Sequence, residues 1–342
     1  MHEAMLYDRL LDERVQCRLC AQHCLIPEGR TGICRVRQNQ GGTLYSLVYG
    51  RLIAQAVDPI EKKPLFHYLP GTSSFSIATP GCNFRCSFCQ NADISQRPGL
   101  LGYVDGRDTP PEAVAEAARR HDCASISHTY TEPTVFFEYT YDVARLAHAA
   151  GLGNVYVTNG YMSADMIDLA AAPDEPPLID AANVDLKSFR DAFYRKECGA
   201  RLQPVLDSLV ALCRRGVWVE VTTLVIPGRN DSEEELRDVA RFIATEMGID
   251  TPWHVSRFHP THHLLDAPPT PTATLVRARE IGLEEGLRYV YVGNVPGSEA
   301  ESTFCPQCGE RVIGRRGFQV TQTRLHGDAC AFCGAEIAGI LG

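Results

Sequence analysis

The chain has 342 residues, enough for about two domains with a sizeable core and too many for a peptide held by disulfides alone. Its 44% hydrophobic and 22% charged content is ordinary for a globular protein and excludes a disordered, collagen-like or coiled-coil chain. Lys and Arg number 33 against 42 Asp and Glu, a net charge of −9 with a pI near 5.7, which disfavours a broad nucleic-acid surface.

No apolar run approaches the roughly 18 residues of a membrane span. Met1 to Arg14 is interrupted by Asp8, Arg9, Asp12, Glu13 and Arg14, so a cytoplasmic location is expected. Fourteen cysteines in a reducing compartment point to metal-bound thiolates. Tight C-x2-C pairs make poor structural disulfides and good chelates.

In chain order, Cys17, Cys20, Cys24 and Cys34 come first, spaced C-x2-C-x3-C-x9-C. They suit structural zinc and an auxiliary iron–sulfur cluster alike, and His23 is a possible substitute ligand. A short alternating strand, Phe75 to Ala78, leads to Cys82, Cys86 and Cys89. Three thiolates on a 4Fe-4S cluster leave one iron open to a ligand, whereas a zinc site would need a distant His to complete it. Further strands are predicted at Ala124 to Ser127, Asn154 to Thr158, Ala182 to Leu186, Trp218 to Leu224, Trp253 to Phe258 and Arg288 to Val292. Helices are predicted between them at Pro111 to Arg120, Val135 to Ala150, Ala164 to Ala171, Leu202 to Arg215 and Ser232 to Met247. Ala172 to Pro177 and Ala267 to Pro271 read as local loops.

The last cluster, Cys305, Cys308, Cys330 and Cys333, forms two knuckles that each end in glycine, separated by a predicted hairpin of Arg311 to Gly314 with Phe318 to Thr321. Four thiolates with no open position describe a closed zinc site, a rubredoxin-like iron site being the alternative. Cys123, Cys198 and Cys213 stand alone. Regular strand–helix alternation implies a parallel sheet, so the fold class is α/β.

Cys82-Asn83-Phe84-Arg85-Cys86-Ser87-Phe88-Cys89, preceded by Thr79-Pro80-Gly81, resembles the signature of radical S-adenosylmethionine enzymes. Tyr130-Thr131-Glu132-Pro133 is similar to that family's Gly-Gly-Glu-Pro segment, and Val157-Thr158-Asn159-Gly160 to its ribose-binding segment. Asp185-Leu186-Lys187 and Ile226-Pro227-Gly228 follow in order. Within the family the chain resembles the relatives of pyruvate formate-lyase activating enzyme, and among them the AmmeMemoRadiSam system enzymes. That narrower likeness rests on Cys17 to Cys20, Gly32 to Arg37, Ile60 to His67 and the 291–297 stretch.

The resemblance implies a partial (βα)6 TIM-like barrel over 60–297, flanked by a Cys-rich metal segment over 1–59 and a zinc-ribbon-like module over 298–342. It implies that Cys82, Cys86 and Cys89 hold a 4Fe-4S cluster that binds S-adenosylmethionine and cleaves it reductively to a 5′-deoxyadenosyl radical. The electron would come from a donor such as flavodoxin or ferredoxin. Glu132, Thr158, Asn159, Asp185, Lys187, Phe88 and His259 become candidate cofactor contacts. Taken as residues alone, Glu132 would cap a helix, Thr158 and Asn159 would form a turn, Asp185 and Lys187 would pair, Phe88 would be core and His259 a loop residue. Tyr130-Thr131 in place of a glycine pair and Val157 in place of Asp depart from the activating enzymes. Cys198, before Gly199, is a candidate catalytic thiol that would donate hydrogen or capture an intermediate, or else a small buried residue.

Three functions compete. The first is an enzyme acting on a small molecule or cofactor precursor, with Memo-like and AMMECR-type partners. The second is an activating enzyme that installs a glycyl radical on a partner protein. The third is a metal-binding interaction or RNA-modifying protein, which the acidic balance disfavours.

Overall fold

The structure, a computed structural model, describes residues 1–172, 176–295 and 297–342. Residues 173–175 of the 172–177 loop and Pro296 of the 291–297 stretch lie outside the described residues.

Eight strands form the central sheet: β1 (Ala54–Pro59), β2 (Ser73–Ala78), β3 (Ser125–His128), β4 (Gly153–Thr158), β5 (Ala181–Asp185), β6 (Trp218–Val225), β7 (Trp253–Arg257) and β8 (Val290–Gly293). They lie side by side in sequence order. β1 runs antiparallel to β2, and every later pairing is parallel. The crossovers carry helices α1 (Pro111–Arg120), α2 (Phe137–Ala149), α3 (Ala164–Ala170), α4 (Gln203–Arg214), α5 (Glu233–Phe242) and α6 (Thr272–Glu284). The predicted strand ends agree with these to within two residues.

Strand alternation separates two faces. Phe75, Ile77 and Ile126 pack with Val114 of α1 and Val143 of α2; Val219, Val221 and Val255 pack with Leu209 and Leu236. The opposite face is buried but polar. Ser74 meets Ser127 at 2.5 Å, Thr222 donates to Asn183 at 2.9 Å, and Asn183 donates to the Pro64 carbonyl at 2.8 Å. Helix starts are capped as their residues dictate: Ser163 accepts from the Met166 N–H and Ser232 from the Glu235 N–H.

β1 and α6 are additions to the predicted elements. β1 has the sequence Ala-Gln-Ala-Val-Asp-Pro, poor in strand formers, and forms because β2 offers it an edge. The predicted helix over Ser232 to Met247 ends its α-helical part at Phe242 and continues as a π-turn, Ile243–Met247.

The two Cys-rich ends attach to opposite edges of the sheet. At the C-terminal edge, Ala21 donates to the Tyr161 carbonyl (3.2 Å), Ser163 donates to the Leu19 carbonyl (3.3 Å), and Arg37 pairs with Glu138 at 2.7 Å with both side chains buried. At the N-terminal edge, the Glu220 carboxylate of β6 accepts from the backbone of Phe66 and His67 and from His254. Burial opposes its charge, but His254 and these donors hold the carboxyl below the usual range. His67 then joins Tyr291 of β8 and the Ala338 carbonyl, each at 2.5 Å. Arg315 donates to the Phe66 carbonyl (2.6 Å) and Thr303 (2.7 Å) and faces Glu61 at 3.5 Å, both side chains 0% exposed.

This inward pull on Arg315 corrects the predicted hairpin. Its first strand runs on through Arg311–Arg316, with an irregularity between Gly314 and Arg315, and pairs with Gln319–Thr323. The turn is therefore at Gly317-Phe318, where Gly317 has φ +59°.

Burial pushes the His67 imidazole down to about 4 and that of His128 down to about 3. Between pH 4 and the unfolded value near 6.5 the unfolded chain binds more protons, so stability rises with pH, by up to about 1.4 kcal/mol per pH unit for each such histidine. Urea unfolding at pH 4.5 and 6.5 is expected to show this slope, reduced by about one proton in His67→Gln.

Candidate functional site

β2 ends at Ala78, and the chain turns through Gly81 into the Cys82–Cys89 loop. Gly81 has φ +106°, and a Cβ there would lie 2.6 Å from Val36 Cγ1. The loop is clamped against the π-turn Tyr194–Cys198. Arg85 N–H donates to the Cys198 carbonyl at 3.0 Å and Ser87 N–H to the Glu197 carbonyl at 2.8 Å, while the Ser87 hydroxyl donates to the Glu197 carboxylate. From the other side Gln22 donates to the Asn83 carbonyl at 2.9 Å.

Two of the three sulfurs have hydrogen-bonding groups directly against them. Phe84 N–H lies 3.3 Å from Cys82 Sγ, Ser95 Oγ lies 3.3 Å from Cys89 Sγ, and Asn159 Nδ2 lies 3.8 Å from Cys82 Sγ. Asn83 Nδ2 and Thr79 Oγ1 are buried beside the loop without a partner. Burial holds the Cys82 thiol well up, with Glu132 adding to it, and raises Cys89. A hydrogen bond from Cys198 brings Cys86 below its ordinary value despite burial. Three sulfurs, two with hydrogen-bonding groups against them, and orphaned polar atoms alongside fit a thiolate-bound iron cluster.

Glu132, Thr158 and Asn159 come together. Glu132 is fully buried; it accepts from Thr134 N–H (3.0 Å), the Thr134 hydroxyl (2.6 Å), the Thr158 hydroxyl (2.7 Å) and Asn159 N–H (2.8 Å). Burial nonetheless raises its carboxyl. It caps the 3-10 turn Pro133–Phe136 and at the same time ties the end of β3 to the end of β4. Asn159 passes the constraint on, donating to Asn83 Oδ1 at 2.7 Å.

Asp185 and Lys187 form an ion pair at 2.7 Å. Burial works against the Lys187 charge, but Asp185, then Cys86 and Cys198, hold its ammonium well above the usual value. Its Nζ also lies 6.0 Å from the centre of the Phe88 ring; Phe88 itself is buried and packs on Phe193. Cys198 is 0% exposed and closes the π-turn before Gly199, φ +70°. His259 is exposed beyond the end of β7 and is not drawn into this group.

The C-terminal cysteines are tightly gathered. Cys305 and Cys333 Sγ are 3.6 Å apart, and Cys308 and Cys330 Sγ 3.7 Å. With metal–sulfur bonds of about 2.3 Å, a tetrahedral zinc site has sulfur separations of about 3.8 Å. Among the described residues this is the one group of three or more potential ligands whose atoms all lie within 4.8 Å of one another. Burial opposes ionisation of Cys305, but N–H groups of the knuckle draw its thiol down to about 7. Cys17, Cys20, Cys24 and Cys34 are less tightly drawn in; burial raises Cys20, Cys24 and Cys34, the last to about 12, and Cys17 adds to each.

Two features escaped the sequence reading. Asp58, Lys63, Tyr130 and Ser76 form a buried cluster: Lys63 pairs with Asp58 at 2.7 Å, and Ser76 and Tyr130 donate to the same carboxylate. Burial pushes Lys63 down to about 8 against the pull of Asp58. The Asp58/Lys62 spacing of four was its one local signal. The second is a cavity beside Cys82 whose walls come from segments far apart in sequence.

A parallel sheet with a three-cysteine loop at its C-terminal edge defines a class, and comparison with known proteins gives the same one. Residues 76–243 match the Radical SAM superfamily. The chain belongs to the radical SAM superfamily and is an enzyme, and this fold implies a 4Fe-4S cluster and S-adenosylmethionine. It is 46% identical over 343 aligned residues, covering all of both chains, to an uncharacterized protein of Methanocaldococcus jannaschii. It is 22% identical to a putative glycyl-radical enzyme activating enzyme of the same organism, over 68% of this chain and 83% of that one. The fold is shared with a radical SAM methyltransferase from Sphaerobacter thermophilus, at TM-score 0.52 and 18% identity over 71% of each chain. Among the described residues no helix is long and apolar enough to cross a membrane.

Glu132→Gln replaces one acceptor oxygen by a donor that faces Asn159 N–H or the Thr158 hydroxyl. A destabilisation of about 1–3 kcal/mol is expected, read as a lower denaturant midpoint for the isolated protein.

Proposed function

We propose that Cys82, Cys86 and Cys89 hold the 4Fe-4S cluster and that the protein acts on a small molecule or cofactor precursor. The observation that carries this reading is the loop itself, with its three thiols and with polar groups set against the Cys82 and Cys89 sulfurs. Bound there, the cluster and S-adenosylmethionine supply a 5′-deoxyadenosyl radical for hydrogen abstraction. Glu132, Thr158 and Asn159 orient the amino-acid and ribose portions of the cofactor with short polar groups. Lys187 balances the charge of the thiolates, Asp185 fixes Lys187, and Phe88 shields both from water. From the loop after β7, outside this group, His259 would contact a cofactor that extends that far, and Cys198, next to Cys86, serves as a thiol within reach of the reaction.

The same reading takes the sheet as a partial (βα)6 barrel over 60–297, with metal modules over 1–59 and 298–342. Zinc occupies the C-terminal quartet, and zinc or an auxiliary iron–sulfur cluster the N-terminal one. The electron donor is a flavodoxin or ferredoxin, the partners are Memo-like and AMMECR-type proteins, and the location is cytoplasmic. A second reading, installation of a glycyl radical on a partner protein, is favoured by the relative named for that activity.

Anaerobic reconstitution with dithionite and S-adenosylmethionine tests the central reading. Wild-type protein is expected to form 5′-deoxyadenosine, and Cys82→Ala, Cys86→Ala and Cys89→Ala to lose at least about 100-fold, as for removal of a whole catalytic unit. No deoxyadenosine from iron-loaded wild type overturns it. Cys198→Ala with unchanged product formation removes the catalytic role of that thiol. A glycyl-radical spectrum in a co-expressed partner would select the second reading.

Metal analysis tests the quartets separately. Cys308→Ser is expected to lose one zinc per chain while keeping the iron, with a lower melting temperature, because binding energy at such a site is folding energy. Iron lost in place of zinc would assign the C-terminal site to iron.

A further inference from the structure

We propose that the cavity beside Cys82 is a binding pocket for an anionic group, carboxylate or phosphate, of the substrate; this deepens, and rests on, the radical reading above. The cavity measures about 440 Å³, within the size range of small-molecule sites. Four segments form it: Ile33 to Arg35 of the N-terminal module, Cys82 to Arg85 of the cysteine loop, the helical turn from Ser95 to Leu100, and His262-His263 beyond β7.

Charge sets the class of occupant. The lining includes Arg35, Arg85, His262 and His263 and no Asp or Glu, in a chain whose net charge is −9. Among the described residues neither guanidinium has a carboxylate within 4.0 Å or a hydrogen-bond acceptor. Guanidinium groups left unpaired at a concave site match the planar oxygens of carboxylate or phosphate.

The backbone that carries these side chains is fixed by the fold. Arg85 lies along Gly199: a Cβ there would sit 2.7 Å from its Nε and 3.0 Å from its Cγ. The positive φ of Gly199 makes the same demand. Arg35 and His262 adopt left-handed backbone, φ +64° and +53°, a conformation that costs free energy for residues with a side chain and gathers at ligand sites. The His262 and His263 ring centres are 3.7 Å apart, and His263 N–H is fastened to the Ser87 carbonyl of the cysteine loop at 2.9 Å. Because Cys82 is part of the wall, an anion bound here leaves the rest of the substrate next to the cluster loop. A cavity of this size suits a metabolite; a protein segment would need a longer groove.

The test is calorimetric titration of the full-length, iron-loaded protein at low ionic strength, with S-adenosylmethionine already bound, using inorganic phosphate and succinate as probes and succinamide as the uncharged control. At least one anion is expected to bind and succinamide not to, and the tighter anion assigns the group. Arg35→Gln, outside the cysteine loop, is expected to weaken binding roughly tenfold or more with iron content unchanged; Arg85→Gln should do the same if it loads iron. The proposal is overturned if neither anion binds wild type, if Arg35→Gln binds as wild type does, or if the anion and S-adenosylmethionine compete, which would give the pocket to the cofactor's own carboxylate. Deoxyadenosine formation without anion binding sinks this pocket and leaves the radical reading intact. Iron-loaded protein that binds anion but never forms deoxyadenosine sinks the radical reading and with it the substrate role.

Discussion

The buried carboxylate of Glu132 organises the edge where the chemistry is proposed. A fully desolvated carboxylate is tolerated only when its oxygens are met by donors, and the four donors here come from its own turn and from Thr158 and Asn159 at the end of the next strand. Satisfying Glu132 therefore aligns two neighbouring loops. Asn159 extends the chain of constraint to Asn83, inside the cysteine loop. The cysteine loop is thus tied on one side to this desolvated acid, as the π-turn and Gln22 tie it on the others.

The sheet treats its two Cys-rich ends differently. At the N-terminal edge, Glu220, His254, His67, Tyr291, Thr303 and Arg315 form one buried network that binds the last module into the core. Breaking one of these contacts would leave further buried polar atoms unpaired, at a cost to stability. That module lies at the edge opposite the cysteine loop, so its cysteine quartet is placed to bear on the fold. The N-terminal module sits on the cysteine loop itself, through Gln22 and the close approach of Val36 to Gly81. Two four-cysteine modules that look equivalent by composition therefore have different reach: one closes the base of the sheet and the other walls the site.

Much of this was legible because its signals are local. Cysteine spacing identifies the three clusters, and strand alternation with intervening helices identifies the parallel sheet. The neighbours of Glu132 were legible as cap and turn residues, and both bland readings hold at once: Glu132 does cap a turn, and Asp185 does pair with Lys187. What stayed hidden depends on contacts between distant segments. β1 is a strand because β2 has a free edge, with little help from its own residues. The hairpin extends past its glycine because Arg315 is drawn to Phe66, 249 residues away. The π-turn that presents Cys198 has no periodic signature, and the cavity wall is assembled from four separate segments.

Arg35 shows how the two parts of the molecule depend on each other. It follows Cys34 directly, and Val36 beyond it is packed against Gly81, so its left-handed backbone is held between a member of the first cysteine quartet and the start of the cysteine loop. Strained conformations persist only where the surroundings over-determine them. Here the two sides of that constraint are the N-terminal cysteines and the loop that carries Cys82. Whatever fixes Cys34 in place therefore also fixes the backbone from which Arg35 reaches the mouth of the cavity. The first cysteine quartet thereby bears on the shape of the pocket through the backbone that joins Cys34 to Val36.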